Sequence, residues 1–258
     1  MNTSSRPDRR STYEPASEGV RFWSLVAAEF HRARQTRSTL TLVTIVVGIA
    51  FIMLIVRAML SQRSGTPLEP QAVTLSADLV GFAVLVAVAI AVARDYQTGT
   101  IDLLRTLTPA RPRHLVARTV GTGLLALIAV GLVVLAGLTA VLLLGDGTVS
   151  WQLAETVTRT AITTFLLAGA GVGIGAATRS TATATFTVIA FYWLIPIGSM
   201  IAGLAGAPWV TLLSDATLGI LASNAITPGP EHWAAVGGIA LWVLALAGLG
   251  LLRETKGN

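Results

Sequence analysis

The feature that most constrains this chain is an alternation. Long apolar runs are separated by short stretches that hold most of its Arg, Pro and acidic residues. A bilayer core of about 30 Å is crossed by about 20 helical residues. Five long apolar segments and one shorter one meet that length, near 39–60, 73–93, 117–144, 154–177, 181–204 and 233–252. The third is long enough to tilt or to project from the membrane. The expected fold is an all-α integral membrane domain of six transmembrane helices over 19–258. Composition agrees: 53% of the 258 residues are hydrophobic and 12% charged, whereas soluble domains average about 25% charged.

The net charge of +5 follows membrane topology rather than a nucleic-acid surface. Arginine clusters before the first span (Arg6, Arg9, Arg10, Arg21, Arg32, Arg34, Arg37) and again between the second and third (Arg94, Arg105, Arg111, Arg113, Arg118). Arg179 marks the turn after the fourth span, and Arg253 and Lys256 mark the tail. The alternate connections carry Glu69, Asp146, Glu155, Asp215 and Glu231, with Arg63 and nearby Arg57 the basic exceptions. Basic loops stay cytoplasmic, so both termini and the 94–118 stretch are expected on the cytoplasmic side of the cell membrane. The first 18 residues, rich in Ser, Thr and Pro, read as a disordered tail. No early apolar core with a cleavage site follows them, so the first span is expected to act as its own insertion signal. Residues 205–232 are half apolar and bounded by Pro208 and Pro228. A seventh span there would export the basic tail, so short re-entrant helices before the last span are expected.

Residues 20–37 read as an amphipathic helix. Phe22, Trp23, Val26, Ala27, Phe30 and Ala33 share one face; Arg21, Ser24, His31, Arg32 and Gln35 share the other. An aromatic and basic helix of this kind lies among lipid headgroups. Between the second and third spans, Thr98 and Gly99 form a turn and Thr100 caps a short helix. Asp102 suits the positive end of its dipole. Ile101, Leu103, Leu104 and Leu107 cover one side of that helix, Asp102, Arg105 and Thr106 the other, and Pro109 ends it. Two turns are not stable alone, so the apolar side packs either on the chain's own spans or in a groove of a soluble partner.

The run Asp95-Tyr96-Gln-Thr-Gly99-Thr100-Ile-Asp-Leu103-Leu104, with Thr108-Pro109-Ala-Arg111 and then Arg118, resembles the signature of ABC transporter permeases of the type-2 exporter class. Those permeases open with Glu-Tyr-x-x-Gly-Thr, followed by a leucine pair, a Pro-x-Arg element and a basic residue before the third span. This chain has Asp95 for Glu and Arg118 for the usual Lys, and both changes keep the charge. The resemblance extends to the span count, the N-terminal helix, the small-residue fourth span and the long last outer loop. It implies two permease subunits, here a homodimer, above two soluble P-loop ATPases that hold ATP and Mg. Residues 20–37 would be the connecting helix, with Phe22, Trp23, Val26 and Phe30 on its apolar face. Thr98–Thr108 would be the cytoplasmic coupling helix. The ATPase-coupling residues would then be Asp95, Tyr96, Gly99, Thr100, Ile101, Asp102, Leu103, Leu104, Arg105, Leu107, Pro109 and Arg111. The first and fifth spans would supply much of the subunit interface.

The chain lacks the machinery to hydrolyse ATP itself. It has no Gly-x-x-x-x-Gly-Lys-Ser/Thr, and its only lysine is Lys256. It has no cysteine, which excludes disulfides, thiolate metal sites and cysteine catalysis. His31, His114 and His232 are scattered outside the expected spans, so no cofactor, metal or histidine base is expected within the membrane. Ser199 has no base near it in sequence, and no Gly-x-Ser-x-Gly or His-Glu-x-x-His occurs. The chain is therefore expected not to be an enzyme. Gly171-Val-Gly173-Ile-Gly175-Ala176 mimics a dinucleotide fingerprint but lies inside a span. There Gly169, Gly171, Gly173 and Gly175 form overlapping small-residue pairs that let helices approach closely.

Arg57, Asp78, Glu155 and Arg159 fall in the outer half of the spans as oriented above. A mid-depth charge costs about 2.5–3.5 kcal/mol on insertion scales, which partnering reduces. Glu155 and Arg159 have the favourable i, i+4 order, and Arg57 and Asp78 are within reach of pairing across the first outer loop. Such a cluster would line or close the outer mouth, although Arg57 equally suits snorkelling to headgroups. Phe186, Phe191, Tyr192 and Trp193 enrich the fifth span for contact with an apolar substrate or for plain packing, and Pro196 with Gly198 predicts a kink near its outer end. The expected function is the transmembrane permease subunit of an ATP-driven exporter working by alternating access. The alternatives are an ion-gradient-driven transporter, which would call for internal repeats and mid-membrane carboxylates, and a non-transporting anchor or sensor coupled to an ATPase.

Overall fold

A computed structural model describes residues 18–64, 71–101, 111–144, 151–204, 210, 214–227 and 232–256. These residues are almost entirely helical, and none of them lies in a strand. The helices are α1 (Glu18–Gln35), α2 (Arg37–Ser64), α3 (Gln71–Gln97), α4 (Arg111–Leu144), α5 (Trp151–Thr178), α6 (Thr181–Ile189), α7 (Ile195–Leu204), α8 (Leu218–Ile226) and α9 (His232–Lys256). A π-helical segment, Ala190–Leu194, joins α6 to α7.

Six helical stretches are long and apolar enough to cross a membrane: Leu40–Ser64, Ser76–Gln97, Pro112–Leu143, Ala154–Thr178, Thr181–Gly203 and His232–Arg253. Their outward surfaces carry large apolar side chains in quantity, including Ile52 and Met59 on α2, Leu135 and Leu143 on α4, and Met200 on α7. A soluble monomer does not expose apolar surface on this scale. The chain has the build of a multi-pass membrane protein.

Helix α5 is the hub. It packs on α3, α9 and α4, and its span and that of α3 are largely buried, while α2 and α6–α7 are mostly exposed. Lipid tails are as apolar as leucine, so helices in a bilayer are held by close packing rather than by escape from water. Glycine permits that closeness along two lines of α5. A Cβ on Gly171 would stand 2.8 Å from the Leu85 carbonyl, and one on Gly175 would stand 2.7 Å from that of Ala89. Both face α3. On another side, Gly173 meets Leu246 and Gly169 meets Val243, both on α9, and Gly169 also meets Thr119 of α4.

Two features depart from the sequence expectations. Helix α4 starts at Arg111 rather than near 117, with Pro112 in the first turn, where its missing N–H costs nothing. At about 1.5 Å per residue its 34 residues run about 51 Å, well beyond the hydrocarbon thickness, and the charged N-terminal end is the overhang. The irregularity of the fifth span lies before Pro196, not beyond it. Proline has no N–H to give the carbonyl four residues back, which here belongs to Tyr192, and the chain widens so that Ile195 donates to Ala190 instead. Gly219 of α8 sits against that freed carbonyl, and a side chain there would collide with it. Within 205–232, the described helix is α8, close to Pro228, with Leu218, Ala222 and Ala225 buried. The disordered-tail reading falls on residues outside those described, save Glu18, which begins α1.

Replacing Gly175 by Ala forces its new methyl into α3 and is expected to cost about 1–3 kcal/mol. Gly198, with nothing within 4 Å, is expected to accept Ala without loss. Thermal midpoints of the two variants in the same detergent check the contrast.

Candidate functional site

The most organised polar region lies where α1, the C-terminal end of α3 and the N-terminal end of α4 meet. Helix α1 crosses α4 at Gly121, where an added Cβ would stand 3.0 Å from the Phe30 nitrogen and 3.2 Å from Glu29 Cβ. That crossing turns Val26 and Glu29 inward and leaves Trp23 at 65% exposure. The face of α1 against the protein is thus not the purely apolar face read from its sequence. Ala27 points outward, and Arg32, assigned above to the solvent face, is drawn in.

Asp95 is the centre of the cluster. Arg32 donates from Nη2 to its Oδ1 at 2.5 Å, and Arg118 donates from Nη2 to its Oδ2. One carboxylate thereby ties α1 and α4 to the end of α3. A second carboxylate, Glu29, lies 3.1 Å from His114 Nε2 and 3.8 Å from Arg32 Nη1. Arg118 is only 5% exposed and Glu29 only 7%, so both charges depend on their partners. Burial opposes ionisation of Glu29. The close His114 ring and the charges of Arg118, His114 and Arg32 outweigh it and hold the carboxyl below the usual carboxylate range.

Past Asp95 the helix stops at a turn. Gly99 has φ 69, a left-handed backbone for which glycine carries no steric cost, and its N–H reaches the Tyr96 carbonyl at 3.3 Å. Thr98 and Thr100 share a hydroxyl hydrogen bond of 2.8 Å, and Ile101 is buried. Asp102, Leu103, Leu104, Arg105, Leu107 and Pro109 lie outside the described residues, as does the side chain of Arg111. Tyr96 lies under the Arg179 guanidinium, 5.3 Å from ring centroid to Cζ, in the geometry of a cation–π contact. Arg179, itself left-handed at φ 55, also donates to the Arg253 carbonyl at 2.8 Å, and Arg253 donates back to the Ala177 carbonyl. Two helix C-termini, α5 and α9, are thereby capped by each other's cations.

The opposite end of the bundle holds a second polar group. Arg159, 2% exposed, donates to the Ala225 carbonyl at 2.9 Å, at the end of α8. Glu155 lies 3.6 Å from Arg159 and 3.3 Å from His232 Nε2. Asp78 does not join them, nor does it pair with Arg57. It accepts a 2.6 Å hydrogen bond from the Tyr192 hydroxyl. Tyr192 in turn packs on Phe82 at 4.7 Å between centroids. Arg57, Asp78, Glu155 and Arg159 therefore do not form a single cluster: Glu155 and Arg159 fasten helices, and Asp78 has a separate aromatic partner.

Comparison with protein-family models and with curated proteins finds no match to this chain. Among the described residues no group of His, Cys, Asp and Glu is arranged to hold a metal.

Sequence reasoning singled out Asp95, Tyr96, Gly99 and Arg118 but overlooked Glu29 and His114, which the structure brings to the same place. His114 lies before the apolar run of the third span, so hydropathy leaves it outside a helix, α4, that in fact begins at Arg111. Glu29 interrupts the apolar stripe of α1, and that interruption was the available signal.

Asp95→Asn removes the acceptor shared by two guanidiniums, and a loss of about 3 kcal/mol is expected, as for breaking a buried pair. Glu29 supplies a pH signature. Its folded pKa is depressed, so its stabilisation is present above the ordinary Glu value of about 4.3 and is lost as pH falls through the lower folded value. The thermal midpoint of Glu29→Gln is expected below that of the unaltered chain near neutrality, with the gap closing in acid. A gap independent of pH would show that the carboxylate charge is not what matters.

Proposed function

We propose that this chain is the permease subunit of an ATP-driven exporter, as its resemblance to type-2 ABC permeases implies. The observation that carries the reading is the Asp95 cluster. The segment after Gly99 is flanked by the only described helix ends that are bound to each other and to α1 by ion pairs. A force applied to that segment by a soluble partner is passed to α1, α3 and α4 as one unit. The glycine-tight contacts of α3 with α5 then carry it into the bundle.

In this reading the Asp95 end, both termini and the Trp23 face of α1 lie on the cytoplasmic side of the cell membrane, in accord with the arginine distribution. The exposed faces of α2 and α6–α7 leave room for a second permease subunit. Energy comes from ATP and Mg held by a separate P-loop ATPase, because the chain has no phosphate-binding loop. Transport proceeds by alternating access between inward-open and outward-open states.

The absence of cysteine makes the test clean. A photo-crosslinker attached to Arg105→Cys in the full chain, expressed in its native membrane, is expected to capture an ATP-binding protein. Labelling of Arg105→Cys by a membrane-impermeant thiol reagent from outside intact cells is expected to fail. Ready labelling from outside, or repeated capture of lipid alone, overturns the proposal.

A further inference from the structure

We infer that the chain holds a binding site for an anionic amphiphile, a single acyl chain bearing a phosphate or carboxylate head, between α1, α3 and α4. A cavity of about 390 Å³ opens beside the Asp95 cluster, within the range of small-molecule sites. Its two ends differ in chemistry. One end is walled by Val84, Val88 and Ala91 of α3 and by Leu125 and Ala129 of α4. The other is walled by Arg32, Arg94 and Arg118 with Glu29 and Asp95.

The head of the site favours an anion. Among the described residues, three guanidiniums stand against two carboxylates there, an excess of one positive charge. Arg118 is almost fully buried, yet only its Nη2 has a partner; Nε and Nη1 are buried without a hydrogen bond, as is Nη1 of Arg32. Buried donors of a charged group are costly when unmade, and a phosphate or carboxylate accepts from a guanidinium fork in matched geometry. The apolar end fits a tail. From Asp95 to Val84 along α3 is about 16 Å at 1.5 Å per residue, about half of the 30 Å hydrocarbon core. A head held at Arg118 therefore places its chain at the depth of one leaflet.

This binding does not depend on the transport reading, since it requires no ATPase. The test uses the purified full chain in a neutral maltoside detergent, with isotope-labelled oleoyl lysophosphatidate or oleate in equilibrium dialysis. Monooleoylglycerol supplies the chain without the charge, and inorganic phosphate supplies the charge without the chain. At least one of the two anionic amphiphiles is expected to bind saturably, ten-fold or more tighter than either control, and the tighter of the two identifies the preferred head. Arg118→Gln is expected to weaken it ten-fold or more. Because Arg118 also supports the fold, Ala91→Phe and Leu125→Trp fill the tail end from opposite walls while leaving the ion pairs intact, and each is expected to reduce binding as strongly. Equal binding of monooleoylglycerol, equal binding of phosphate alone, no saturable binding, or binding untouched by both wall variants overturns the inference.

Discussion

Everything in this bundle rests on how closely α3 and α9 approach α5. In water, burial of apolar side chains would hold three such helices together. In a bilayer that driving force is missing, and contact at the level of the backbone takes its place. Gly171 and Gly175 seat α5 against the carbonyls of α3, and Gly173 seats it against α9. These contacts leave little freedom for α3 to slide relative to α5. The peripheral α2 and α6–α7 are under no such constraint, since most of their surface faces outward.

Onto this rigid centre the polar end adds charge pairing of a different kind. Asp95 sits at the last turn of α3, so the carboxylate that binds Arg32 and Arg118 is carried by the same helix that α5 clamps. The amphipathic α1 is held at two levels, by backbone proximity at Gly121 and by ions at Glu29 and Arg32. Trp23 is exposed on its far side, edge-on to Phe22. The result is one helix that belongs to the protein on one face and presents an aromatic to its surroundings on the other.

The six apolar helices were legible in the sequence because span length and hydropathy are local properties. The glycine pairs of α5 were legible for the same reason, as i, i+4 spacing within one helix. What was not legible depends on distant partners. Asp95 meets Arg32 across 63 residues and Tyr192 meets Asp78 across 114, and no window of sequence reports either. Arg57 and Asp78 seemed a natural pair by charge and proximity in the chain. The structure prefers a phenol for Asp78, because Tyr192 is turned onto α3 beside Phe82. The widened turn before Pro196 was half legible: the proline marks the site, but its effect is felt at the residue four positions earlier.

The overhang of α4 has a mechanical meaning. A stiff rod longer than the layer it crosses couples its two ends, and neighbours grip it along its length, from Gly121 to the buried Val133 and Val141. Sideways displacement of the protruding tip becomes tilt of the submerged shaft, with no hinge in between. The same rod carries His114 and Arg118 near its charged tip and the long apolar stretch to Leu144 beyond it, so its two ends shift together.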